Sequence, residues 1–165
     1  TRRSSDLLDL NIPAGVEDGL RLQLAGQGEV GFAGGPQGDI YVDIAVHAHE
    51  SFSRQGDDLH CSLELPLHDA VLGTLTKIET FDGEAQIEVE PGTQSGDRVT
   101  LRHKGINHLR GAGRGDLIVT FQVHTPTKLD SKQKELFRSL ADLRKSDEIK
   151  LVKHSQSHFS KRKHK

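Results

Sequence analysis

The sequence has little of the material from which disulfide-linked, membrane-spanning or aromatic-rich proteins are built. Its 165 residues contain one cysteine, no methionine and no tryptophan, and aromatic residues make up 4%. A single cysteine cannot form an internal disulfide and is typical of a reducing compartment. The sequence contains no signal-peptide pattern and no run of about 18 apolar residues, so it indicates neither secretion nor a membrane helix. The expected location is cytoplasmic.

The chain is also poor in apolar residues and has no strong net charge. Hydrophobic residues make up 33% and there are 17 glycines, so we expect a thin aliphatic core and many tight turns. The net charge of −2 does not suggest a nucleic-acid binder. Residues 145–165, however, carry seven Lys or Arg against two Asp or Glu, which predicts a solvated, disordered basic tail. Nucleic-acid binding through that tail is an alternative function, and strong salt dependence would be its signature.

Motifs that would indicate an enzyme are missing. Gly26–Gly31 matches the spacing of a dinucleotide-binding loop, but the glycines and Pro36 that follow cannot begin the helix which that site requires. There is no nucleophile elbow, and no pair of acids stands out. Cys61 alternates with leucines, so it is expected in the core and not as a nucleophile. A β-sandwich hydrolase or glycan-processing enzyme is therefore a weak alternative, and we expect no enzyme.

The ten histidines invite a metal interpretation. His47 and His49 are spaced to share one face of a strand, and His154 and His158 are spaced to share one face of a helix. Neither pair has a third ligand at a usual spacing, and a lone thiol excludes a cysteine-rich zinc site. These histidines are expected to be surface residues.

The strongest positive signal is an internal repeat. Residues 12–46 align without a gap on residues 89–123, at an offset of 77 residues and with ten identities in 35 positions. Half of the identities are glycines, which a chain uses where a side chain would obstruct the backbone. The repeat indicates two copies of one β-domain in tandem. Two similar surfaces held apart suit a binding protein better than an enzyme with one catalytic pocket.

The repeat is unequal at its upstream end. The second copy has an upstream half, residues 58–88, for which the first copy retains only residues 1–11 as a counterpart. The chain also begins without methionine. We expect a piece of a longer protein that begins inside its first repeat, with a sheet edge and apolar surface exposed there.

Alternation of apolar and polar residues predicts a mainly β fold. Strands are predicted at 6–12, 20–25, 39–47, 59–65, 74–80, 85–89, 97–102 and 116–124. Such alternation is typical of antiparallel sheets that bury one face, so two tandem β-sandwich-like domains are expected, the first one truncated. Asp82-Gly83 predicts a two-residue hairpin turn. Gly38-Asp39 and Gly115-Asp116 are interpreted as turns in which the aspartate accepts backbone N–H bonds.

Two helices are predicted. A short one fits between Pro66 and Gly73, in the second β-domain. A longer one begins after Asp130, the expected N-cap, and Gln133 completes a capping box. The apolar residues that follow at helical spacing are Leu136, Phe137, Leu140, Ala141 and Leu143.

An ordered set of motifs spans about residues 6–145. It comprises Ile12-Pro13-Ala14-Gly15, Gly38-Asp39-Ile40-Tyr41-Val42, the series His49, Phe52, Arg54, Gly56, Asp58, then Asp69-Ala70-x-Leu72-Gly73, Phe81-Asp82-Gly83, Pro91-Gly92-Thr93, and Lys104-Gly105 to Gly115-Asp116-Leu117. This set resembles the C-terminal region of DnaJ-type J-domain co-chaperones, and the terminal helix resembles their dimerisation helix. The tail after residue 145 does not match.

The resemblance implies domains and partners. Residues 1–49 would be a truncated, substrate-binding first β-domain, 50–126 the second, 127–145 the dimerisation helix and 146–165 the basic tail. The sequence contains neither the His-Pro-Asp tripeptide of a J-domain nor a C-x-x-C-x-G-x-G zinc repeat. No cofactor is therefore expected here, and zinc only in an upstream zinc-finger region. The implied partners are unfolded client polypeptides, a DnaK-type ATPase chaperone and a second copy of the chain, with no nucleic acid and no membrane.

The resemblance also implies a client site. In the family a client segment adds as a strand beside the first β-domain and places an apolar side chain in a shallow pocket. Matched residue by residue, Leu8 and Val42 line this pocket, and Leu10, Ile40 and Ile44 form its wall. The alternative is a core role, since alternate residues of a strand also face a sandwich interior. Other pocket positions would lie upstream, so weakened client binding is expected.

The terminal helix would join two copies. Leu136, Phe137, Leu140 and Leu143 are the implied dimer contacts, and the alternative is that they pack on the second β-domain. A dimer would bring two weak sites to one client and gain avidity. The alternative function is a purely structural dimerising spacer, with its client site in the upstream segment.

Overall fold

The structure, a computed structural model, describes residues 8–31, 34–147 and 149. The elements in these residues are β1 (Arg21–Leu24), β2 (Val30–Gly31), β3 (Gly35–Gln37), β4 (Ile40–Asp43), β5 (Ser53–Gln55), β6 (Asp58–Pro66), α1 (Leu67–Leu72), β7 (Thr74–Thr80), β8 (Gly83–Val89), β9 (Arg98–Leu101), β10 (Leu117–His124) and α2 (Ser131–Leu143). The mainly β fold with a short internal helix and a C-terminal helix is confirmed. The described residues up to Thr125 form one compact unit, and those from Pro126 form a second.

A four-stranded sheet with the order β5-β6-β10-β9 organises the first unit. β10 pairs with β6 in parallel, from Leu117↔Leu59 to His124↔Pro66, and with β9 antiparallel. The expectation of antiparallel sheets is wrong for the β6–β10 pair. The physical reason is that alternation along a strand records which face is buried, and it carries no information on the direction of the neighbouring strand.

The β7–β8 hairpin covers one face of this sheet. Its strands pair antiparallel from Thr74↔Val89 to Thr80↔Gly83. Hairpin and sheet share one apolar cluster, whose buried members are Leu59, Leu65, Ala70, Ile87, Val89, Leu117, Val119 and Phe121. The cluster is small and mostly aliphatic, as the composition predicts, and α1 contributes Ala70 to it.

The internal repeat is confirmed in the strand register. In the first copy β1 pairs with β4 antiparallel, with Leu22 opposite Val42. In the second copy β9 pairs with β10 antiparallel, with Val99 opposite Val119. These residues are related by the same offset of 77 that relates the two sequences.

The glycines of the repeat allow a close backbone approach. The N–H of Gly28 donates to the carbonyl of Gly38, and the N–H of Gly105 donates to that of Gly115. A Cβ at Gly28 would lie 2.8 Å from the carbonyl carbon of Gly38, and one at Gly105 would lie 2.5 Å from that of Gly115. Both distances are shorter than any ordinary carbon contact, so a side chain would separate the strands at these loops.

The two repeated aspartates act as the sequence predicts. Asp39 Oδ1 accepts from the N–H of Gly26 at 2.9 Å, and Asp116 Oδ1 accepts from the N–H of His103 at 2.8 Å. The backbone bond from Gly26, assisted by the side chain of Gln23, holds the pKa of Asp39 below its usual value. The residue whose N–H donates to the aspartate has a left-handed backbone conformation in both copies, with φ of 67° at Gly26 and 59° at His103.

Three predicted element boundaries are wrong. The described residues of the proposed strand 6–12, which are 8–12, form no strand. The proposed strand 39–47 ends at Asp43, because its partner β1 begins at Arg21, the residue opposite Asp43. The hairpin turn consists of Phe81 and Asp82, one residue earlier than predicted, because Gly83 with its φ of 101° is already paired with Thr80.

The C-terminal helix begins as predicted. Asp130 Oδ1 accepts from the N–H of Gln133 at 2.7 Å, and Gln133 Oε1 accepts from the N–H of Asp130 at 3.0 Å. The two bonds satisfy orphan donors at the start of α2 and confirm the capping box. The predicted disorder of the tail falls almost wholly on residues that lie outside those the structure describes.

Ionic contacts fix the tip of the β7–β8 hairpin. Arg114 Nη1 donates to both carboxylate oxygens of Asp82, at 2.8 and 2.9 Å, and Lys104 Nζ lies 3.4 Å from Asp82 Oδ2. Arg114 also donates to the carbonyl of Gly105 at 2.8 Å. The hydrogen bond from Arg114 is the main reason that the pKa of Asp82 lies below its usual value.

The central strand should carry much of the stability. Leu117 is 0% exposed, whereas Leu75 on the outer face of β7 is 64% exposed. Leu117→Ala should lower the free energy of unfolding by about 2–5 kcal/mol, because it removes buried methyl groups and leaves a cavity. Leu75→Ala should lower the free energy of unfolding by less than about 1 kcal/mol. Urea denaturation measures both, and equal losses would contradict this account of the core.

The ion pair at the hairpin tip should make stability depend on pH. Because the pKa of Asp82 is lowered on folding, its contribution is present above the unfolded-state value of about 4 and is lost as the pH falls through the folded-state value. Asp82→Asn should therefore destabilise the protein at pH 6 and converge with the wild type in acid. Glu88→Gln, which removes an exposed carboxylate from the same hairpin, is the matched control. Parallel pH profiles for wild type and Asp82→Asn would disprove the assignment.

Candidate functional site

One edge of the four-stranded sheet is only partly covered. β5 pairs with β6 over three residues, from Gln55↔Asp58 to Ser53↔His60. On its other side β6 is accompanied by β10 as far as Pro66. Residues 61–65 of β6 therefore have no strand on their outer side within the part of the chain that the structure describes. We call this stretch the β6 edge.

The backbone of the β6 edge presents unpaired groups. The N–H of Leu59 donates to the carbonyl of Asp116 at 2.9 Å, which directs the backbone groups of Leu59 toward β10. Because this direction alternates along a strand, Ser62 and Glu64 direct their N–H and C=O groups away from β10, toward the free side. Such a row of donors and acceptors is a template for another strand.

A cavity of about 490 Å³, with both apolar and polar side chains in its lining, lies beside the β6 edge. Residues of β6, the end of β7 and the segment before β5 line it, including Phe52, Leu63, Ile78 and Phe81. The ring centroids of Phe52 and Phe81 are 5.2 Å apart, and the ring of His49 lies 5.2 and 5.4 Å from these two. The three rings form one aromatic cluster in the lining of the cavity.

Cys61 also lines this cavity. It is half-buried and packs against the apolar core, as the alternation of β6 predicts. Burial raises the pKa of its thiol, so the thiolate that a nucleophile requires is disfavoured. Cys61 is therefore suited to apolar contact and not to covalent chemistry.

A second cavity of about 440 Å³ adjoins the first at the β6 edge, and the two share the lining residues His49, Ser51, Phe52, Cys61 and Ser62. Its lining includes Ser62 and Thr120, which are paired neighbours on β6 and β10 and so share a face. The other polar lining residues include Glu50 and His60. Since successive side chains of β6 point to opposite faces, Cys61 and Leu63 lie on one face of the edge, and Ser62 and Glu64 lie on the other.

The structure groups three of the residues that the resemblance assigns to client binding. Ile40, Val42 and Ile44 are half-buried and share one face of the first copy. Leu22 and Leu24, which the sequence analysis did not select, lie opposite Val42 and Ile40 on β1. These apolar side chains form one continuous patch.

Leu8 and Leu10 are not joined to this patch by strand pairing. They lie in an irregular segment, where Leu8 is 44% exposed and Leu10 is half-buried. In the second copy the positions equivalent to Val42 and Ile44 are Val119 and Phe121, which are buried core residues. Client contact by Leu8, Leu10, Ile40, Val42 and Ile44 stays a prediction.

The apolar stripe of α2 is exposed. None of the 13 described residues of this helix is buried. Leu136, Phe137, Leu140 and Leu143 are 62%, 40%, 49% and 85% exposed. A helix with one apolar face open to water has a surface suited to a partner.

Other kinds of site find no support in the described residues. No group of three or more His, Cys, Asp or Glu side chains among them is arranged to hold a metal ion. His154 and His158 lie outside the described residues. No described helix combines the length and the hydropathy that a membrane span requires.

The sequence analysis missed the residues around the β6 edge. Leu63 and Ile78 lie in correctly predicted strands, and Phe52 and Phe81 lie in motifs that the resemblance uses. The repeat also marks a second β-domain of the same kind, which was a signal for a second surface. The repeat could not show which strand edge stays open, because that depends on where β5 stops pairing with β6.

Comparison with known proteins shows the family of this chain. The family model described as DnaJ C terminal domain matches residues 1–126. "Chaperone protein DnaJ 2" of Streptomyces avermitilis is 54% identical over 142 residues, which are 86% of this chain and 38% of the relative. "Chaperone protein DnaJ" of Leifsonia xyli subsp. xyli is 50% identical over 159 residues, which are 96% of this chain and 43% of the relative.

A relative from Brevibacillus choshinensis, also named "Chaperone protein DnaJ", is 49% identical over 136 residues, or 82% of this chain and 36% of the relative. The chain thus spans about two fifths of the length of the curated relatives it matches. The match to the family model covers most of the chain, and this chain belongs to the DnaJ C-terminal domain family.

Proposed function

We propose that this chain binds unfolded polypeptide segments, as the client-binding part of a cytoplasmic DnaJ co-chaperone that delivers clients to a DnaK-type ATPase chaperone. Family membership supports the co-chaperone role. The observation that carries the proposal is the open β6 edge beside a partly apolar cavity. The function is binding and not catalysis, because strand addition requires no bond to be made or broken.

The two parts of the site would recognise different properties of a client. The free N–H and C=O groups of Ser62 and Glu64 can bond to the main chain of any extended segment, so their contribution tolerates any sequence. The cavity lined by Phe52, Leu63, Ile78 and Phe81 selects an apolar side chain, because burial in it removes apolar surface from water. Unfolded proteins expose both features, whereas folded proteins conceal them.

The apolar patch of the first copy would act as a second contact for the same client. Ile40, Val42 and Ile44 offer it a half-buried apolar face, and Leu8 and Leu10 are proposed to extend this face. Two contacts on one chain hold a long unfolded segment more tightly than either alone, because the second binding event becomes intramolecular.

Dimerisation through α2 would double the number of sites. Leu136, Phe137, Leu140 and Leu143 place a mostly exposed apolar stripe on one helix. Packing this stripe against a second copy would remove it from water, which is the main driving force for such association.

Strand addition can be tested with a proline on the β6 edge. Ser62→Pro removes one outward N–H and leaves the β10 ladder intact, because Cys61 and Leu63 supply the groups that face β10. The affinity for a fluorescein-labelled peptide in which leucine alternates with threonine should fall about fivefold or more, as measured by anisotropy. Ser62→Ala keeps the N–H and should bind like the wild type. Unchanged peptide affinity in a folded Ser62→Pro variant would refute binding at this edge.

The dimer can be tested on α2. Leu140→Asp places a charge in the apolar stripe and should convert the dimer to a monomer in sedimentation, because a buried unpaired carboxylate is strongly unfavourable. Arg138→Asp places the same side chain at an exposed position on the opposite side of the helix and should leave the dimer intact. If Leu140→Asp still sediments as a dimer, another surface holds the copies together.

A further inference from the structure

We propose that Arg54 is a positioning residue that holds the first copy of the repeat against the second and so fixes the separation of the two client surfaces. These surfaces are the apolar patch around Val42 and the β6 edge with its cavity. The consequence for clients rests on the proposed function, whereas the role of Arg54 in the fold does not. The substrate class that fits is a client with two apolar segments at a matching separation.

The side chain of Arg54 crosses the boundary between the copies. Arg54 lies on β5 in the second copy, and its Nη1 and Nη2 atoms donate to the carbonyls of Val16 and Gly15 in the first, at 2.5 and 2.9 Å. Its Nε atom donates to the carbonyl of Gly56 at 2.7 Å, which anchors the same group in the second copy. One planar guanidinium group thus bonds to both copies at once, as the fixed fork of arginine donors allows.

Arg54 makes both of the hydrogen bonds that join the described residues up to 46 with residues 53–125. Each sheet belongs to one copy, so no strand pairing crosses the boundary in the described part of the chain. The connecting residues 44–52 form neither strand nor helix. The relative orientation of the copies is therefore not fixed by regular secondary structure.

Packing across the boundary is incomplete. A cavity of about 690 Å³ lies there, lined by residues of both copies that include Asp18, Val46, Arg54 and Phe81. Protein interiors have few voids of this size, because close packing is what makes them rigid. With this space unfilled, side-chain packing alone does not hold the two copies at one angle, and the bonds from Arg54 gain importance.

A close contact at Gly15 brings the first copy within reach of Arg54. A Cβ at Gly15 would overlap the carbonyl oxygen of Asn107 and lie 3.1 Å from the backbone nitrogen of Leu109. The backbone of Gly15 therefore lies directly against this loop of the second copy. Its φ of 86° is a second reason for glycine at this position.

Asp57 orients the guanidinium group from within the second copy. Its Oδ1 atom lies 3.7 Å from Arg54 Nη2, and its Oδ2 atom lies 2.6 Å from His108 Nδ1. The carbonyl of Asp57 also accepts from the N–H of Ile106 at 2.8 Å, which fixes its backbone. Arg54 is thus held by its own copy in the orientation that the carbonyls of the first copy require.

A fixed boundary makes the separation of the two client surfaces a property of the protein. Binding of a second client segment gains most when the chain between the two segments matches the span of the sites. A flexible boundary would spread this gain over many separations, because the sites could then adapt to the client. Arg54 would in this way determine which clients use both surfaces.

Distance measurements test the role of Arg54 without a client. Spin labels at Tyr41→Cys and Leu75→Cys, in a Cys61→Ala background diluted with unlabelled protein, report a distance across the boundary by double electron–electron resonance. Both label sites are exposed, at 58% and 64%. With Arg54 present the distance should be single and narrow. Arg54→Met should lose it and give a broad distribution, because the two accepting carbonyls lose their donors.

Two further variants make this result specific. Arg21→Met is the matched control, because Arg21 pairs with Asp43 inside the first copy and its loss should keep the narrow distance. Arg54→Lys keeps the charge but cannot reproduce the planar fork, so the distribution should be intermediate in width. It also decides the question if urea denaturation shows that Arg54→Met does not fold. An unchanged narrow distance in a folded Arg54 variant would overturn the proposal.

Peptides with two apolar segments test the selection of clients. Two alternating leucine–threonine segments are joined by glycine–serine linkers of increasing length, and binding is measured by anisotropy in the Leu140→Asp background, so that both segments must bind one chain. With Arg54 present, the best linker should bind about tenfold more tightly than the shortest. In Arg54→Met this ratio should fall to about twofold, with the affinity for a single segment unchanged, because the boundary adapts to shorter linkers.

The outcomes separate this proposal from the proposed function. If affinity does not depend on linker length while Arg54 is present, and a single segment still binds, the selection by separation is overturned and client binding stands. If a single segment does not bind at all, the proposed function is overturned. The spin-label distances then still decide whether Arg54 holds the two copies together.

Discussion

The parallel pairing of β6 with β10 is the interaction on which most of this structure depends. It aligns Leu59 with Leu117 and Leu63 with Phe121, so the apolar residues of two strands that are distant in sequence form one surface. The β7–β8 hairpin closes that surface and completes the core. The pairing occupies only one side of β6, and its other side is left to the short strand β5. Core and candidate binding edge are thus two sides of one strand.

The two copies show how similar sequences acquire different environments. Val42 and Val119 hold the same place in the same strand register, yet Val119 is 0% exposed and Val42 is half-buried. This difference in exposure arises from the elements that cover each strand pair. In the second copy the β7–β8 hairpin and Ala70 of α1 cover the position. The same apolar pattern therefore serves as core in one copy and leaves a partly open patch in the other.

An open strand edge is a hazard that most proteins conceal, because unpaired backbone groups invite association. Here the edge is short, and its outward-facing residues include Ser62 and Glu64, which limit contact with a second apolar edge. The adjacent cavity is lined in part by the apolar residues Phe52, Leu63, Ile78 and Phe81. These features suit reversible contact with an extended chain, and an exposed helix stripe would allow two such edges to act on one client.

Local features of this protein were readable from the sequence because they depend on neighbouring residues. The alternation around Leu63 and Val119, the capping box of Asp130 and Gln133, and the backbone bonds of Asp39 and Asp116 all belong to this class. The repeat offset of 77 residues predicted the equal registers of β1–β4 and β9–β10. The family was also recognisable, because its motifs occur in order along most of the chain.

Only the tertiary structure decided which strands became partners and which edge stayed free. Nothing near Leu59 in the sequence specifies a parallel neighbour 58 residues later, since such a pairing gains its stability from a core assembled by several elements at once. The same holds for the cavity formed by Phe52, Leu63 and Phe81, whose residues come from three separate segments. The sequence by itself determined most of the longer strands and both helices, and long-range packing determined where a binding surface could arise.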